Sequence, residues 1–435
     1  MNLFKRTLKW NGFDITKATK QLKEIQNIPE KKYEQYILDK RKELVDYHLK
    51  ENQFYRSLVG EKTILQWNDV PIMQKKDLQK PLAQRLSKGF TPKNSYVNKT
   101  SGSSGHPFIF AKDKACHALS WAEFMDRYKW YNIYLNTSLQ ARFYGIPLDV
   151  FGYQKERLKD RLSNGYRFPI FDLSDKKSEE FLNVFRRKKF DHINGYTSSI
   201  VLFAKYLKKK SIVLRSVCPT LKQCIVTSEM LYANDKKLLE TTLGIPVINE
   251  YGASELGLIA FSNSKDEFVV NSEGLFVEIL DENDRPLPNG QPGRLCITSL
   301  YNKAHPIIRY DIGDTGVLAK SSTLKKPILE QLIGRTNDVA KLPSGKTVPG
   351  LTFYYVTKSV IEDNGNVKEF IIEQIAINTF KIIYVSERGL SHEEMKAIEE
   401  ASFAYLESGL TIEFERTSFL DRSNRGKLKQ FISKL

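Results

Sequence analysis

The sequence predicts an α/β protein of two domains, and three observations carry that reading. Between residues 139 and 261 short apolar runs alternate with amphipathic helical stretches, the pattern of a layered sheet with helices on both faces. From 266 to 330 the pattern changes to strands and turns, with DENDRPLPNGQPGR as a long turn-rich connection, so a mostly β subdomain is expected there. After Val367 a compact β/α pattern follows, and a boundary at Gly334–Asp338 separates 1–333 from 334–435.

Residues 15–58 read as helical, because apolar side chains recur at three- and four-residue spacing, as at Tyr36, Ile37, Leu44 and Tyr47. A strand-like SYVNKT (95–100) feeds the hydroxyl- and glycine-rich KTSGSSGHPFIF (99–110). By itself that stretch fits a plain turn or a loop whose N–H groups and hydroxyls hold an anion. KDKACHALSWAEFMDRYKWYNIY then reads as a long helix whose aromatic stripe belongs to the core. LQARFYGIP, FDHINGY, LKQCIVTSE and IPVINEYGASE read as strands, with TSSIVLFAKYLKKK and ANDKKLLETTLG as helices between them. In such sheets ligands sit at the carboxyl ends of the strands. The polar clusters Gly195–Thr197, Thr227–Glu229 and Tyr251–Glu255 all fall at those ends. Beyond the boundary, VKEFIIEQIA, FKIIYVSE and TIEFERTS read as strands, SHEEMKAIEEASFAYLES as a helix, and the end as a basic tail.

The 435 residues are 41% hydrophobic and 27% charged, an ordinary globular balance. No apolar run reaches the roughly 18–20 residues of a membrane span, and MNLFKRTLKWNGFD lacks the apolar centre of a signal peptide. The net charge of +16 favours anionic partners such as phosphorylated small molecules and allows peripheral contact with acidic surfaces. No nucleic-acid motif accompanies it, and the densest basic runs, Arg186–Lys189 and Lys208–Lys210, stand at expected helix ends, where they complement the dipole. Cys116, Cys218, Cys224 and Cys296 are scattered with no CxxC pair, so free thiols in a cytoplasmic protein are expected, without disulfides or structural zinc.

Five short segments occur in order: TSGSSGHP (100–107), YGASE (251–255), RYDIGD (309–314), GRTND (334–338) and RSNRGK (422–427). Taken singly, each fits a turn, a linker or a solvated tail. As a set the chain resembles the adenylate-forming superfamily of acyl- and aryl-CoA ligases, amino-acid-activating domains and luciferases. NQFYRSL, NGYTSSI and NRGKLKQFISKL are similar to its phenylacetate–CoA ligase-like branch, closest to ligase-like proteins of capsule and other surface-polysaccharide synthesis. The resemblance covers nearly the whole chain. It implies a large N-terminal domain of mixed sheets flanked by helices with a β subdomain, and a small mobile C-terminal α+β domain.

The resemblance also implies a reaction: a carboxylate attacks the α-phosphate of ATP, pyrophosphate leaves, and the acyl-adenylate passes its acyl group to a thiol or an amine. On that reading Thr100, Ser101, Gly102, Ser103, Ser104 and Gly105 cradle the β- and γ-phosphates. The GxxxxGK[ST] lysine is missing, which argues against a P-loop kinase. Thr227, Ser228 and Glu229 line the adenine edge, and Tyr251 lies against adenine with Gly252 and Ala253 beside it. Ser254 bonds the α-phosphate and Glu255 holds Mg²⁺ through a hard oxygen. Asp314 takes the ribose hydroxyls and Arg335 reaches ribose or phosphate. Lys427 bridges the carboxylate and the α-phosphate in the adenylation step, delivered and withdrawn by rotation about a hinge at Asn337. The acceptor stays open between coenzyme A and an amine. A stand-alone enzyme with no carrier domain after Leu435 is expected.

Two departures from the family pattern stand out: His106 follows the glycine loop where Lys is frequent, and Asn337 replaces the usual Asp or Lys at the hinge. A non-catalytic nucleotide-binding relative is the competing class. The joint presence of Glu255, Asp314, Arg335 and Lys427 argues against it.

Overall fold

The computed structural model describes residues 3–99, 109–144, 150–170, 173, 175–335, 339–345, 347–349, 366–420 and 431–435. The chain divides into two compact units, Met1–Ile312 with Gly316–Gln331, and Gly313–Thr315 with Leu332–Leu435.

The first unit opens with helices α1 (Leu3–Trp10), α2 (Ile15–Gln26), α3 (Glu30–Glu51), α4 (Gln53–Val59) and the short α5 (Leu82–Arg85). The expected helical stretch is therefore broken where capping chemistry demands it. Asp14 accepts the Lys17 N–H at 3.0 Å, Pro29 precedes α3, and Asn52 accepts the Tyr55 N–H at 2.8 Å. An antiparallel pair, β1 (Tyr96–Lys99) and β2 (Ile109–Lys112), flanks the glycine-rich stretch and leads into α6 (Lys114–Lys129). Ile15, Ala18 and Leu22 of α2 bury against Ala118, Leu119, Ala122 and Met125 of α6.

The main sheet follows as β3 (Gln140–Tyr144), α7 (Val150–Leu162), β4 (Gly165–Pro169), α8 (Asp175–Arg187), β5 (His192–Tyr196), α9 (Thr197–Lys209), the short α10 (Leu214–Val217), β6 (Gln223–Thr227), α11 (Ala233–Leu243), β7 (Val247–Ala253), β8 (Gly257–Ser262) and β9 (Phe268–Val270). Its order is β4-β3-β5-β6-β7-β8-β9. Strands β3 to β7 pair in parallel, while β8 and β9 are added antiparallel, so the sheet is mixed. The element β4 and helices α7 and α8 had no explicit counterpart in the reading of the sequence. The basic runs do close α8 and α9.

The turn-rich region forms β10 (Leu275–Leu280), β11 (Gly293–Ser299), β12 (Tyr310–Leu318) and β13 (Leu329–Arg335), a four-stranded sheet in that order. All four cysteines are free and buried.

In the second unit β14 (Val339–Lys341) pairs with β15 (Thr347–Pro349), and β16 (Val367–Ala376), β17 (Thr379–Ser386), α12 (His392–Tyr405), β18 (Thr411–Thr417) and β19 (Phe431–Ser433) build a sheet of order β18-β17-β16-β19. Helix α12 carries a capping box between Ser391 and Glu394. Phe370, Ile372, Phe380, Ile382 and Phe431 of the sheet and Ile398 of α12 are among the buried apolar side chains of this unit. The basic tail thus does not end as coil: its last residues pair in parallel with β16.

Candidate active site at the carboxyl edge of the main sheet

The order of the parallel strands places a topological switch between β3 and β5: the chain runs outward from β3 to β4, then crosses back to continue on the other side. A crevice opens beyond the carboxyl ends at such a point. Register aligns those ends, with Tyr196 opposite Thr227 and Thr227 opposite Glu250.

The YGASE segment is less of a strand than its sequence implies. Strand β7 stops at Ala253, and Ala253 accepts the Leu256 N–H at 3.1 Å, so Ser254 and Glu255 occupy the turn of a hairpin into β8. Gly257 sits at φ +92°, a conformation that L side chains rarely adopt. Gly252 faces backbone too closely for a side chain: a Cβ there would lie 2.8 Å from the Gly257 carbonyl oxygen. The turn leaves Ser254 exposed and turns Glu255 inward, at 6% exposure. There the Tyr310 hydroxyl donates to Glu255 Oε1 at 3.4 Å, joining the YGASE and RYDIGD segments.

Lys112, which the sequence reading did not single out, is buried at the end of β2. Its Nζ lies 3.4 Å from where a Gly257 Cβ would stand. Burial lowers the pKa of its ammonium, and the charges of Glu123 and Glu255 oppose that shift. A lysine closing the apolar FIFAK immediately after the glycine-rich stretch was the available signal.

At the end of β6, Ser228 holds φ +70°, a strained conformation of the kind that collects at functional sites. Glu229 has a structural task. Its carboxylate accepts the Ser198 backbone N–H at 2.7 Å and the Ser198 hydroxyl at 3.1 Å, at the N-terminus of α9.

Glu250, the residue before Tyr251, was also passed over. Its carboxylate accepts the Tyr128 hydroxyl at 3.0 Å and a hydrogen bond from Thr227. Burial pushes its pKa up to about 6, with both hydrogen bonds opposing. Tyr128 is part of the aromatic stripe read as core: its ring does pack against Ile225, Ile248 and Phe261, yet its hydroxyl serves this carboxylate. Beside it the Tyr144 hydroxyl donates to Asn194 at 2.5 Å, and the Tyr144 and Tyr196 rings meet edge to face at 5.0 Å. A charged residue inside an apolar strand, IPVINE, was the signal in the sequence.

The structure therefore brings Thr227, Ser228 and Glu229 together with Tyr251, Gly252, Ala253, Ser254 and Glu255 on adjoining strand ends, and Tyr251 packs its ring near Phe268 at 6.4 Å. Asp314 is buried within β12, in the stretch Gly313–Thr315 that belongs to the second unit, and Arg335 closes β13. Thr100, Ser101, Gly102, Ser103, Ser104, Gly105, His106, Asn337 and Lys427 lie outside the described residues. Among the described residues no group of three or more His, Cys, Asp and Glu side chains converges as a metal centre, and no helix is long and apolar enough to cross a membrane. The inward-turned carboxylate of Glu255 is a hard oxygen donor of the kind that Mg²⁺ takes alongside phosphate oxygens, since that ion uses one or two protein carboxylates.

No family model matches the chain. In sequence it is similar to the protein CapK of Staphylococcus aureus, 23% identical over 315 residues covering 68% of this chain and 66% of that one. It is similar to the phenylacetate–coenzyme A ligase of Aromatoleum evansii, 29% identical over 106 residues, covering 23% of this chain and 24% of the ligase. The indoleacetate–lysine synthetase of Pseudomonas savastanoi is 26% identical over 136 residues, 30% of each chain. The chain thus spans just under two thirds of the length of CapK and smaller parts of the other two relatives. Its fold is that of the adenylate-forming ligases: it superposes on 2-hydroxyisobutyryl-CoA ligase, solved in its postadenylation state with an acyl-AMP, with a TM-score of 0.70 at 17% identity, over 94% of this chain and 90% of that one.

Proposed function

We propose that this chain is an AMP-forming carboxylate ligase that activates an acid as its acyl-adenylate and passes the acyl group to an amine or a thiol. The observation that carries the reading is the meeting of two motif segments far apart in sequence, at the Tyr310–Glu255 contact beside the strand ends of β6 and β7. Two anions must be aligned and their charge offset for adenylation to proceed. In this proposal the hydroxyls and N–H groups of Thr100–Gly105 hold the β- and γ-phosphates, and Tyr251 lies against adenine. Ser254 bonds the α-phosphate, Asp314 and Arg335 take the ribose side, and Lys427 bridges the two reacting anions. Mg²⁺ at Glu255 would supply further charge neutralisation when bound.

For the acceptor, the likeness to a synthetase named for indoleacetate and lysine supports an amine, and the resemblance of NQFYRSL, NGYTSSI and NRGKLKQFISKL to ligase-like proteins of capsule synthesis supports a place in surface-polysaccharide synthesis. The likeness to a phenylacetate–coenzyme A ligase favours a second reading, with coenzyme A as acceptor. The test is incubation of the purified protein with ATP, Mg²⁺, hydroxylamine and a panel of acids, measuring pyrophosphate and hydroxamate. Acid-dependent release of both is expected, and Lys427→Ala should abolish it while sparing transfer from a preformed adenylate. ATP binding with no pyrophosphate from any acid would leave only a nucleotide-binding protein.

A further inference from the structure

We propose that the acid activated at this site carries a cationic amino group and that the Glu250 carboxylate binds it. The inference rests on the ligase reading above and adds the class of its substrate.

Three observations carry it. First, Glu250 stands at the carboxyl end of β7, level with Thr227 of β6 and beside the Tyr144, Asn194 and Tyr196 cluster at the β3–β5 switch point, where the crevice of such a sheet opens. Tyr144 and Tyr128 both sense its charge, so these groups share one neighbourhood. Second, Glu250 has no cationic partner among the described residues. Its two hydrogen bonds come from neutral hydroxyls, those of Tyr128 and Thr227, and an ionised carboxylate has room for about four donors. The nearby guanidinium groups form their ion pairs with other carboxylates, while Arg142 Nε is buried with no hydrogen-bond partner among the described residues. Arg142 pairs with Asp160 at 3.4 Å and lies over the Tyr144 ring, and Arg167 pairs with Asp160 at 3.0 Å and Glu156 at 2.8 Å. Third, the surroundings suit an ammonium. The side-chain carbonyl oxygen of Asn194 is an acceptor within the cluster, beside the Tyr144 and Tyr196 rings.

The selectivity follows from desolvation. A neutral apolar acid entering the crevice would strip water from Glu250 and give nothing in return, whereas an ammonium would replace that water with a charge-assisted hydrogen bond.

The experiment compares matched acids in the ATP-dependent pyrophosphate assay: alanine and β-alanine against propionate, 6-aminohexanoate against hexanoate, and 4-(aminomethyl)benzoate against 4-methylbenzoate. The wild type should prefer the amino member of the pair that fits. Glu250→Gln should lower kcat/KM for that acid by about 100-fold, as when one member of a buried charge pair is removed, and collapse the preference between pair members. Glu250→Asp should retain the preference. Tyr128→Phe keeps the carboxylate and should shift the ratio less, which serves if Glu250→Gln folds poorly. Preference for the neutral members, or a preference for amines that survives Glu250→Gln, would overturn the inference while leaving the ligase standing. Silence with every acid, ATP being bound, would overturn the ligase reading and this inference with it.

Discussion

At the β3–β4 end of the main sheet the two faces are built from the same strands and have opposite character. In β3 and β4, Ala141, Phe143 and Phe168 point to one face, where they join Phe181, Phe185, Phe190 and Phe203 in a buried cluster under α8, α9 and α11. Arg142, Tyr144 and Arg167 point to the other, toward Asp160, Glu156 and Asn194. Parallel strands covered on both sides are usually apolar throughout. In β3 and β4 one face is spent on packing and the other keeps polar groups that must be satisfied one by one, whereas Ile225 and Ile248 further along that second face pack against Tyr128. The difference separates the part of the sheet that holds the fold from the part available to a ligand, within a single strand such as QARFY.

The packing face should break first and furthest. Phe185 is 1% exposed. Its ring stacks on Phe168 at 5.2 Å and Phe203 at 5.8 Å and meets Phe190 at 4.9 Å. Phe185→Ala should cost about 3–5 kcal/mol of stability, read from the urea midpoint at unchanged slope. A loss below about 1 kcal/mol would show that the aromatic face collapses around the gap and that stability resides elsewhere.

The polar face should respond in the opposite direction. Glu250 has its pKa raised from 4.5 to about 6 by burial, so the folded state disfavours its ionised form. Below about pH 4.5 the group is protonated folded or unfolded and costs nothing. As pH rises from there through about 6 the cost grows to about 2 kcal/mol and then stays level. Glu250→Gln should therefore stabilise the free protein at pH 7 by up to about 2 kcal/mol, with the gain vanishing near pH 4. Denaturation of both proteins across that range checks it. A destabilised variant at neutral pH would mean that Glu250 already has the partner it needs within the fold, which would also weaken its assignment to a ligand.

Much of this contrast was legible in the sequence. The strands FDHINGY and LKQCIVTSE, their intervening helices and the polar clusters at their ends followed from period and composition, because burial on one face fixes the alternation. The motifs YGASE and RYDIGD were recognisable, but their contact was not: Tyr310 reaches Glu255 only after the chain has folded a turn at Ser254. Glu250 and Lys112 were missed for a related reason. Glu250 is a single charge closing an apolar run and Lys112 is the first of the KDK that closes another, and local pattern cannot tell a charge pointing into a cleft from one pointing into water. Helix α7 was hard to see since its polar face, Glu156 and Asp160, is used to hold Arg167 rather than to meet solvent.

Glu229 offers the sharpest small test, because sequence and geometry give it different tasks. The resemblance assigns it to the adenine edge. The geometry shows its carboxylate accepting the Ser198 N–H at 2.7 Å at the start of α9, where the helix dipole favours negative charge, and its backbone carbonyl accepting from Thr197 at 3.3 Å. Glu229→Ala removes only the side-chain part and should cost about 1 kcal/mol of stability, seen as a shift in the urea midpoint, with the KM for ATP changed less than about threefold. The reverse pattern, an unmoved midpoint with a KM for ATP raised tenfold, would make Glu229 a nucleotide ligand. The polar face would then begin one strand position further out than the capping contact implies.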